Sequence, residues 1–406
     1  DYPHRDFAFR FWDGTVVGPK NGHDPLFTLV LHHPGSVRTM LWPFNKAALG
    51  EAYIFGDIDI EGDIGAFLDL LMHWQSLPLT VVQKLGVLRK LLALPNEKRP
   101  RVRRHAQLDG VRHTEERDGQ AVRYHYDTPP REFFELFLDS QLQYSCGYFE
   151  WPDDDIDTAQ QAKLEHICRK LRLKPGERLL DVGCGWGSLI MHAAREYGVK
   201  AVGCTISEKQ CRAAIQKIES AGLRDRCQVL FCDYRQIPEN VPFDKAVSVG
   251  FIEHVGEKNF PVLYAKIWRL LRPQGLYLNH GITFKPHTPY PRWREFALRY
   301  VFPDGELVPI DRTIAHLCKA GFEVRDVESL REHYGYTLDR WLQRLEANRD
   351  EAVRLTDEVL YRIYRLYFAG ARRGFFTGLY NLYQTLVVKP IEDATQLPLT
   401  RADLYQ

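Results

Sequence analysis

Several absences narrow the field before any motif is read. Charge of one sign is not in excess: 54 Lys and Arg stand against 53 Asp and Glu, a formal charge of +1. Bulk electrostatics therefore gives no reason to expect a nucleic-acid partner. No apolar run reaches the roughly 18–20 residues that span a bilayer. The eight cysteines (Cys146, Cys168, Cys184, Cys204, Cys211, Cys227, Cys232 and Cys318) form no CxxC pair and no His/Cys metal spacing. They read as reduced thiols, and with no signal-peptide pattern in the first residues the expected compartment is the cytoplasm. At 406 residues the chain has room for two or three domains.

What is present is organised around residues 179–189, LLDVGCGWGSL. Leu179, Leu180 and Val182 read as a buried strand. Gly183, Gly185 and Gly187 make a tight turn, and SLIMHAAREYG carries apolar residues at helical spacing up to Gly198. Strand, glycine turn and helix open a doubly wound nucleotide-binding fold. The turn needs glycine because the backbone bends sharply and a ligand must approach it closely. The helix start offers N–H groups to an anionic end of that ligand. A bare glycine pattern is also compatible with a purely structural turn. Asp181, two residues before the first glycine, favours S-adenosylmethionine (SAM). A dinucleotide site would show GxGxxG and an acid after the second strand; here that strand ends in Thr205 and Ser207, with Gln210 following.

Strands are expected at 178–182, 199–205, 227–232, 244–249, 275–282 and 322–328. Helices are expected at 158–173, 187–197, 207–221, 259–271 and 312–320. This alternation predicts an α/β fold with a mostly parallel sheet covered on both faces and an edge hairpin to finish it. Residues 337–388 read as helical and aromatic-rich, as core packing or as a wall for an acyl chain. Before the catalytic region, FAFRFWDG and TVVG suggest a hairpin around Asp13-Gly14. FTLVLHH and SVRTMLWP read as strands, 45–53 as a helix, FGDIDIEGD as a strand pair, and 64–77 and 79–94 as apolar helices. The expected organisation is a small N-terminal α+β domain at 1–94, a basic linker at 95–123, the catalytic domain at 124–390 and a polar tail at 391–406, free to fray. The linker carries Lys98, Arg99, Arg101, Arg103 and Arg104. It is either solvated or a contact with an anionic membrane surface, where each such charge is worth ~1 kcal/mol. The helix before it either packs into the domain or docks at the interface.

The motifs as a set resemble the cyclopropane fatty acid synthase family, with its mycolic acid methyltransferase relatives. The matching stretches are QYSCGYF (143–149), AQQAKLEHICRKLRLKPGERLLDVGCGWG (159–187), GCTISEKQ (203–210), CDYR (232–235), FDKAVSVGFIEHVGEKNF (243–260) and YVFPDGELVP (300–309). The resemblance covers about 124–390. It implies a Rossmann-like SAM methyltransferase sheet and an N-terminal domain linked to lipid binding and dimerisation. It implies SAM contacts from Tyr144 and Ser145 at the methionine portion, Thr205 and Gln210 at the ribose, and Asp233 and Tyr234 at the adenine. It further implies a bicarbonate ion held by Cys146, Glu253, His280, the backbone at Ile282, and Tyr334.

The implied chemistry is SAM-dependent methylation of a cis double bond in an unsaturated phospholipid acyl chain. The resulting carbocation needs dry, aromatic walls that tolerate a cation and one positioned base. Loss of a proton from the new methyl closes a cyclopropane. Loss of a different proton gives a methylene branch, which a flavin- or NADPH-dependent reductase partner turns into a methyl branch. The implied location is peripheral, at the inner face of the cytoplasmic membrane, as a homodimer. A small-molecule SAM methyltransferase and a non-enzymatic lipid binder with a relic site are the rival readings. Four departures from the family pattern bear on the product. Ala371 stands where the family has a cysteine, and Ile252 where it has phenylalanine. HGIT, with Gly281 and Thr283, replaces HTIG, and HYDTPP (125–130) replaces HYDLGN.

Overall fold

The computed structural model describes residues 6–20, 22–42, 46–76, 80–97, 99–101, 104–289, 294–391 and 397–405. Lys98 and Arg103 of the basic run, and part of the expected tail, lie outside these. The chain divides into two compact units. One comprises Asp1–Ala106, Pro289–Val301 and Glu346–Arg373, the other Gln107–Thr288, Phe302–Leu345 and Gly374–Gln406. Two segments placed by sequence in the catalytic domain thus belong to the first unit.

The first unit holds a four-stranded sheet in the order β2-β1-β3-β4: β1 (Ala8–Arg10), β2 (Val16–Val17), β3 (Phe27–Leu31) and β4 (Ile58–Gly62). β1 and β2 form the expected hairpin, pairing Phe9 with Val17. β4 is a single strand antiparallel to β3, where a strand pair was expected. SVRTML is a helix (Ser36–Leu41), not a strand. It buries Ser36, whose hydroxyl donates to the Asp57 carbonyl at 2.7 Å, and a tertiary bond of this kind outweighs β propensity. The helix Glu358–Phe376 explains why 346–373 joins this unit. Arg365 is buried and donates to the carbonyls of Ile60 and Gly62 and to the Tyr53 hydroxyl, each at 2.9 Å, while pairing with Glu346 at 2.6 Å. Arg362 donates to the Tyr53 carbonyl and pairs with Asp59, both at 2.9 Å.

Two side chains of the basic run and one of its backbone amides have partners within the same unit. Arg101 pairs with Glu51 at 2.6 Å, Arg104 pairs with Asp357, and the Arg99 amide donates to Asp57. The helix Val81–Ala93 (VVQKLGVLRKLLA) behaves differently. Thr80 and Gln83 close a capping box at its start, yet Leu91 is its one buried residue. Val81, Val82, Leu85, Val87 and Leu92 are exposed.

The second unit is the α/β domain. Its sheet runs β10-β11-β9-β8-β5-β6-β7: β5 (Arg178–Val182), β6 (Lys200–Thr205), β7 (Cys227–Phe231), β8 (Phe243–Val249), β9 (Leu271–Phe284), β10 (Glu323–Ser329) and β11 (Tyr380–Val388). β7, β6, β5, β8 and β9 are parallel, and β11 and β10 complete an antiparallel edge. Alternate residues feed two apolar layers: Leu179 packs on one face and Leu180 and Val182 on the other. A strand buried on both faces reads as a continuous apolar run, which is why β5 is plain in the sequence. Chain order reverses between β5 and β8, and ligands of such sheets sit at the strand carboxyl ends beside that reversal.

Three expectations fail here. Residues 380–388 are a strand inserted between β9 and β10, not helix, because the run YNLYQTLVV pairs along its whole length with β9. A helix (Glu115–Asp127) starts inside the expected linker and buries Asp118, Val122 and His125. The tail does not fray at 401–405: Asp403 pairs with Arg172 at 2.6 Å and Leu404 is buried.

Arg365→Met should leave the Ile60 and Gly62 carbonyls and Glu346 without their partner and lower stability by about 3–5 kcal/mol in denaturant titration. Arg354→Ala, on an exposed ion pair with Glu351, should leave the titration unchanged.

Candidate active site

The glycine turn after β5 forms the floor of a pocket. Gly183, Gly185 and Gly187 all adopt positive φ, at 84°, 53° and 83°. A Cβ on Gly183 would lie 2.6 Å from the Phe251 ring, so its absence is a packing requirement as well as a backbone one. The Gly183 amide donates to the Cys204 carbonyl at 3.0 Å and the Gly187 amide to the Cys184 carbonyl at 2.9 Å. These two amides hold the turn and are already committed, so an anionic ligand end cannot take them as donors without breaking it.

The pocket is lined by Tyr144, Ser145, Asp181, Gly183, Gly185, Thr205, Gln210, Asp233 and Tyr234. Nine of the ten residues read from the sequence as cofactor-binding thus come together; Gly187 is not in the lining. Ser207 caps the helix Glu208–Ser220, accepting from the Gln210 amide at 3.1 Å. That turn sets the Gln210 side chain 3.0 Å from the Thr205 hydroxyl, which donates to Gln210 Oε1. Asp233 caps a short 3-10 turn, accepts from the Arg235 amide at 2.9 Å and pairs with the Arg235 guanidinium at 3.0 Å.

Several pocket residues were not singled out from the sequence. Lys163 is buried and donates to the Ser145 hydroxyl at 2.9 Å. Burial brings its ammonium down to about 8, against the opposing charges of Asp139 and Asp181. Burial likewise pushes Asp181 up to about 7, with Lys163 pulling the other way. Tyr126, Trp186 and His254 complete an aromatic wall, with the Tyr126 ring 6.1 Å from Trp186 and 6.2 Å from Tyr144. The Tyr144 ring also lies 5.1 Å from Trp341, tilted to it, and meets Phe134 edge-on at 5.8 Å.

The second group of sequence-read residues lies around the ends of β8 and β9. β8 pairs with β9 as far as Val249 and His280, and the Gly250 amide closes on the His280 carbonyl. β9 continues beyond this point, leaving the next amide on that edge, Ile282, without a strand partner. Glu253, from the short helix Ile252–Val255, takes it: the Ile282 N–H donates to Glu253 Oε1 at 2.6 Å. Glu253 is buried, and burial pushes its carboxyl up to about 7 against the opposing pull of that bond. Its Oε2 has no partner among the described residues. His280 is fully buried, with its Nε2 likewise unpartnered. Burial holds its ring well below the usual histidine range. Cys146 is fully buried and its thiol donates to the Gly147 carbonyl at 3.2 Å; burial raises its pKa far above the ordinary thiol. Tyr334 is buried, its ring 6.1 Å from Trp341 and 4.6 Å from Phe375. The structure thus joins Glu253 directly to Ile282 and buries all of Cys146, Glu253, His280 and Tyr334 in this unit. Ile252 is not at a pocket edge. It lies in the apolar core, and a Cβ on Gly281 would fall 2.5 Å from its Cδ1.

A family model described as mycolic acid cyclopropane synthetase matches residues 113–385. The chain belongs to the mycolic acid cyclopropane synthetase family. A second model, for a domain of unknown function, matches residues 4–78. Within the family, the chain is 40% identical to a probable fatty acid methyltransferase of Pseudomonas putida, covering 99% of this chain and 97% of that protein. It is 36% identical to cyclopropane mycolic acid synthase 1 of Mycobacterium tuberculosis over 65% of this chain and 94% of that one. The crystal structure of mycolic acid cyclopropane synthase CmaA1 complexed with SAH and CTAB superimposes with a TM-score of 0.64 at 35% identity. It covers 67% of this chain and 98% of that one. As a family member, the chain is a SAM-dependent methyltransferase with a Rossmann-like sheet.

Glu253 carries a thermodynamic signature. Its folded-state pKa of about 7 lies above the ordinary 4.5, so the folded protein binds this proton more tightly than the unfolded chain does. Its contribution is full below about 4.5 and is lost as pH rises through about 7. Glu253→Gln, which keeps an acceptor for the Ile282 amide, should therefore raise stability at pH 8 by about 1–3 kcal/mol and leave it unchanged at pH 4.5. Thermal melts at the two pH values check this.

Proposed function

We propose that this enzyme methylates the cis double bond of unsaturated acyl chains on membrane phospholipids, and that the product is a cyclopropane fatty acid. The observation that carries the reading is the pair of buried, unpartnered polar atoms, Glu253 Oε2 and His280 Nε2, in a chain whose neighbouring pocket is walled by Tyr126, Tyr144 and Trp186. An uncompensated buried polar atom is costly, and a bound polar group would satisfy it. When bound, SAM supplies a methyl made electrophilic by its sulfonium, and bicarbonate would supply the base.

The remaining tasks fall to the protein. Tyr144 and Ser145, braced by Lys163, close over the methionine portion. Thr205 and Gln210 read the ribose, and Asp233 and Tyr234 flank the adenine. Glu253, His280, Cys146 and Tyr334 would hold the bicarbonate. Ile282 contributes by orienting Glu253, since its amide is given to that carboxyl. The aromatic wall excludes water and tolerates positive charge on the acyl chain. Relatives named for fatty acid and mycolic acid methyl transfer support an acyl-chain substrate.

The test is mass spectrometry of lipid after incubation with deuteromethyl SAM and dioleoyl phosphatidylglycerol vesicles, with and without bicarbonate. Labelled chains that have lost one methyl deuterium, resolved as cyclopropane by NMR, are expected. A methylene branch would show the same mass, and a chain retaining all the deuterium would mean a methyl-branched alkene; either would overturn the cyclopropane. Absence of labelled lipid would favour a small-molecule methyltransferase. Glu253→Gln should lower transfer by about a hundredfold or more, although it does not cost stability.

The membrane contact falls to the helix Val81–Ala93 in this reading. Its exposed valines and leucines stand beside Lys84, Arg89 and Lys90 with no acid in the segment, the composition of a helix lying in an anionic interface. Val82→Asp with Leu85→Asp should reduce sedimentation with phosphatidylglycerol vesicles about tenfold or more and leave SAM binding by calorimetry unchanged.

A further inference from the structure

A chain of buried polar side chains runs from the centre of the second unit to His280. In the β9–β11 register Gln384 stands directly opposite His280, where side chains share a face and touch. Both residues are fully buried. Gln384 Nε2 lies 3.1 Å from His280 Nδ1, and Gln384 Oε1 lies 3.0 Å from the ammonium of Lys170. Lys170 is buried on the helix Ile156–Lys170, paired with Glu328 and 3.4 Å from Asp326; His166 also meets Glu328 at 2.8 Å.

The order of donors in this chain is fixed by one fact. An ammonium donates and cannot accept. The Gln384 atom facing Lys170 must therefore be its oxygen, and the amide NH2 must face the ring. A flipped amide would set NH2 against NH3+, donor against donor, while Lys170 kept only its carboxylate partners Glu328 and Asp326. An amide N–H aimed at Nδ1 needs a lone pair there. Burial and the nearby positive charges of Lys163 and Lys170 keep the ring uncharged, so it carries a single proton. With Nδ1 accepting, that proton is on Nε2.

We infer that Gln384, oriented by Lys170, locks His280 as the neutral Nε2–H tautomer, so that the ring presents a donor into the cluster and cannot serve as its general base. The catalytic half of this inference rests on the proposed role of His280; the tautomer itself does not. An Nε2–H is the partner an oxyanion takes, and the atom is the buried, unpartnered one. Gln384 and Lys170 are positioning residues, acting through His280 as outer-shell partners do for metal-bound histidines.

The experiment is two-bond proton–nitrogen correlation NMR on the full chain labelled with 15N-histidine, His280 being assigned by its loss in His280→Gln. The expected spectrum has a pyridine-like Nδ1 and a pyrrole-like Nε2. Gln384→Glu replaces the donor with an acceptor. It should move the proton to Nδ1, reversing the two shifts, and lower methyl transfer to dioleoyl phosphatidylglycerol about tenfold or more with SAM affinity unchanged. Gln384→Met, of similar volume and with neither donor nor acceptor, should give averaged shifts from mixed tautomers. A pyrrole-like Nδ1 in the unaltered protein, or shifts unmoved in both variants, would overturn the lock. Reversed shifts with undiminished transfer would uphold the lock and overturn the catalytic role assigned to His280.

Discussion

One hydrogen bond, from the Ile282 amide to Glu253, ties the chemistry of this site to the ending of a β-strand. β8 stops pairing at His280 while β9 runs on to Phe284, and an amide left on such an edge inside the protein needs an acceptor. Glu253 supplies it, at 2.6 Å. The carboxyl is drawn into a buried place by a backbone requirement, and burial then raises its pKa to about 7. One oxygen is used by the strand and the other is left over. A buried carboxyl with one oxygen unpartnered among the described residues thus arises from a mismatch in the lengths of two neighbouring strands.

The same region carries buried charge of the opposite sign. Lys163 and Lys170 stand seven residues apart on one face of a helix that also buries Leu164 and Ile167. Placing two ammonium groups in a core is costly unless each finds compensation. Lys170 finds Glu328 and Asp326. Lys163 has the Ser145 hydroxyl and the nearby charge of Asp181 and Asp139, and its pKa drops to about 8. Each lysine also reaches the machinery through one neutral side chain: Ser145 beside the pocket and Gln384 beside His280. The helix serves less as a wall than as the source of fixed donors that orient its neighbours.

Much of this architecture was legible in the sequence, for identifiable reasons. The central parallel strands are buried on both faces, so β5, β6 and β8 show as largely apolar runs bounded by turns. The glycine turn is visible because positive φ leaves few alternatives to glycine. β11 was misread although Gly378, at a φ of 71°, ends the helix before it, because its pairing partner β9 is a hundred residues away. SVRTML was misread because its helix depends on the Ser36–Asp57 bond, a tertiary fact. The division of the chain was misplaced for the same kind of reason: Arg362 and Arg365 meet β4 across three hundred positions of sequence. The lysines at 163 and 170 did leave a signal, charges recurring on the apolar face of a helix.

The departures from the family pattern also change meaning once packing is known. Ile252 in place of phenylalanine and Gly281 in HGIT read from the sequence as two separate departures. In the structure they are one packing solution, since the Ile252 side chain occupies the space a Cβ on residue 281 would need. Overpacking of a buried site costs about 1–3 kcal/mol, so a larger residue at 281 beside isoleucine at 252 would be destabilising unless that side chain shifted. The pair flanks Glu253 on one side and lies between His280 and Ile282 on the other. Its effect on the reaction therefore runs through the placement of those three residues, and Ile252 itself stays in the apolar core.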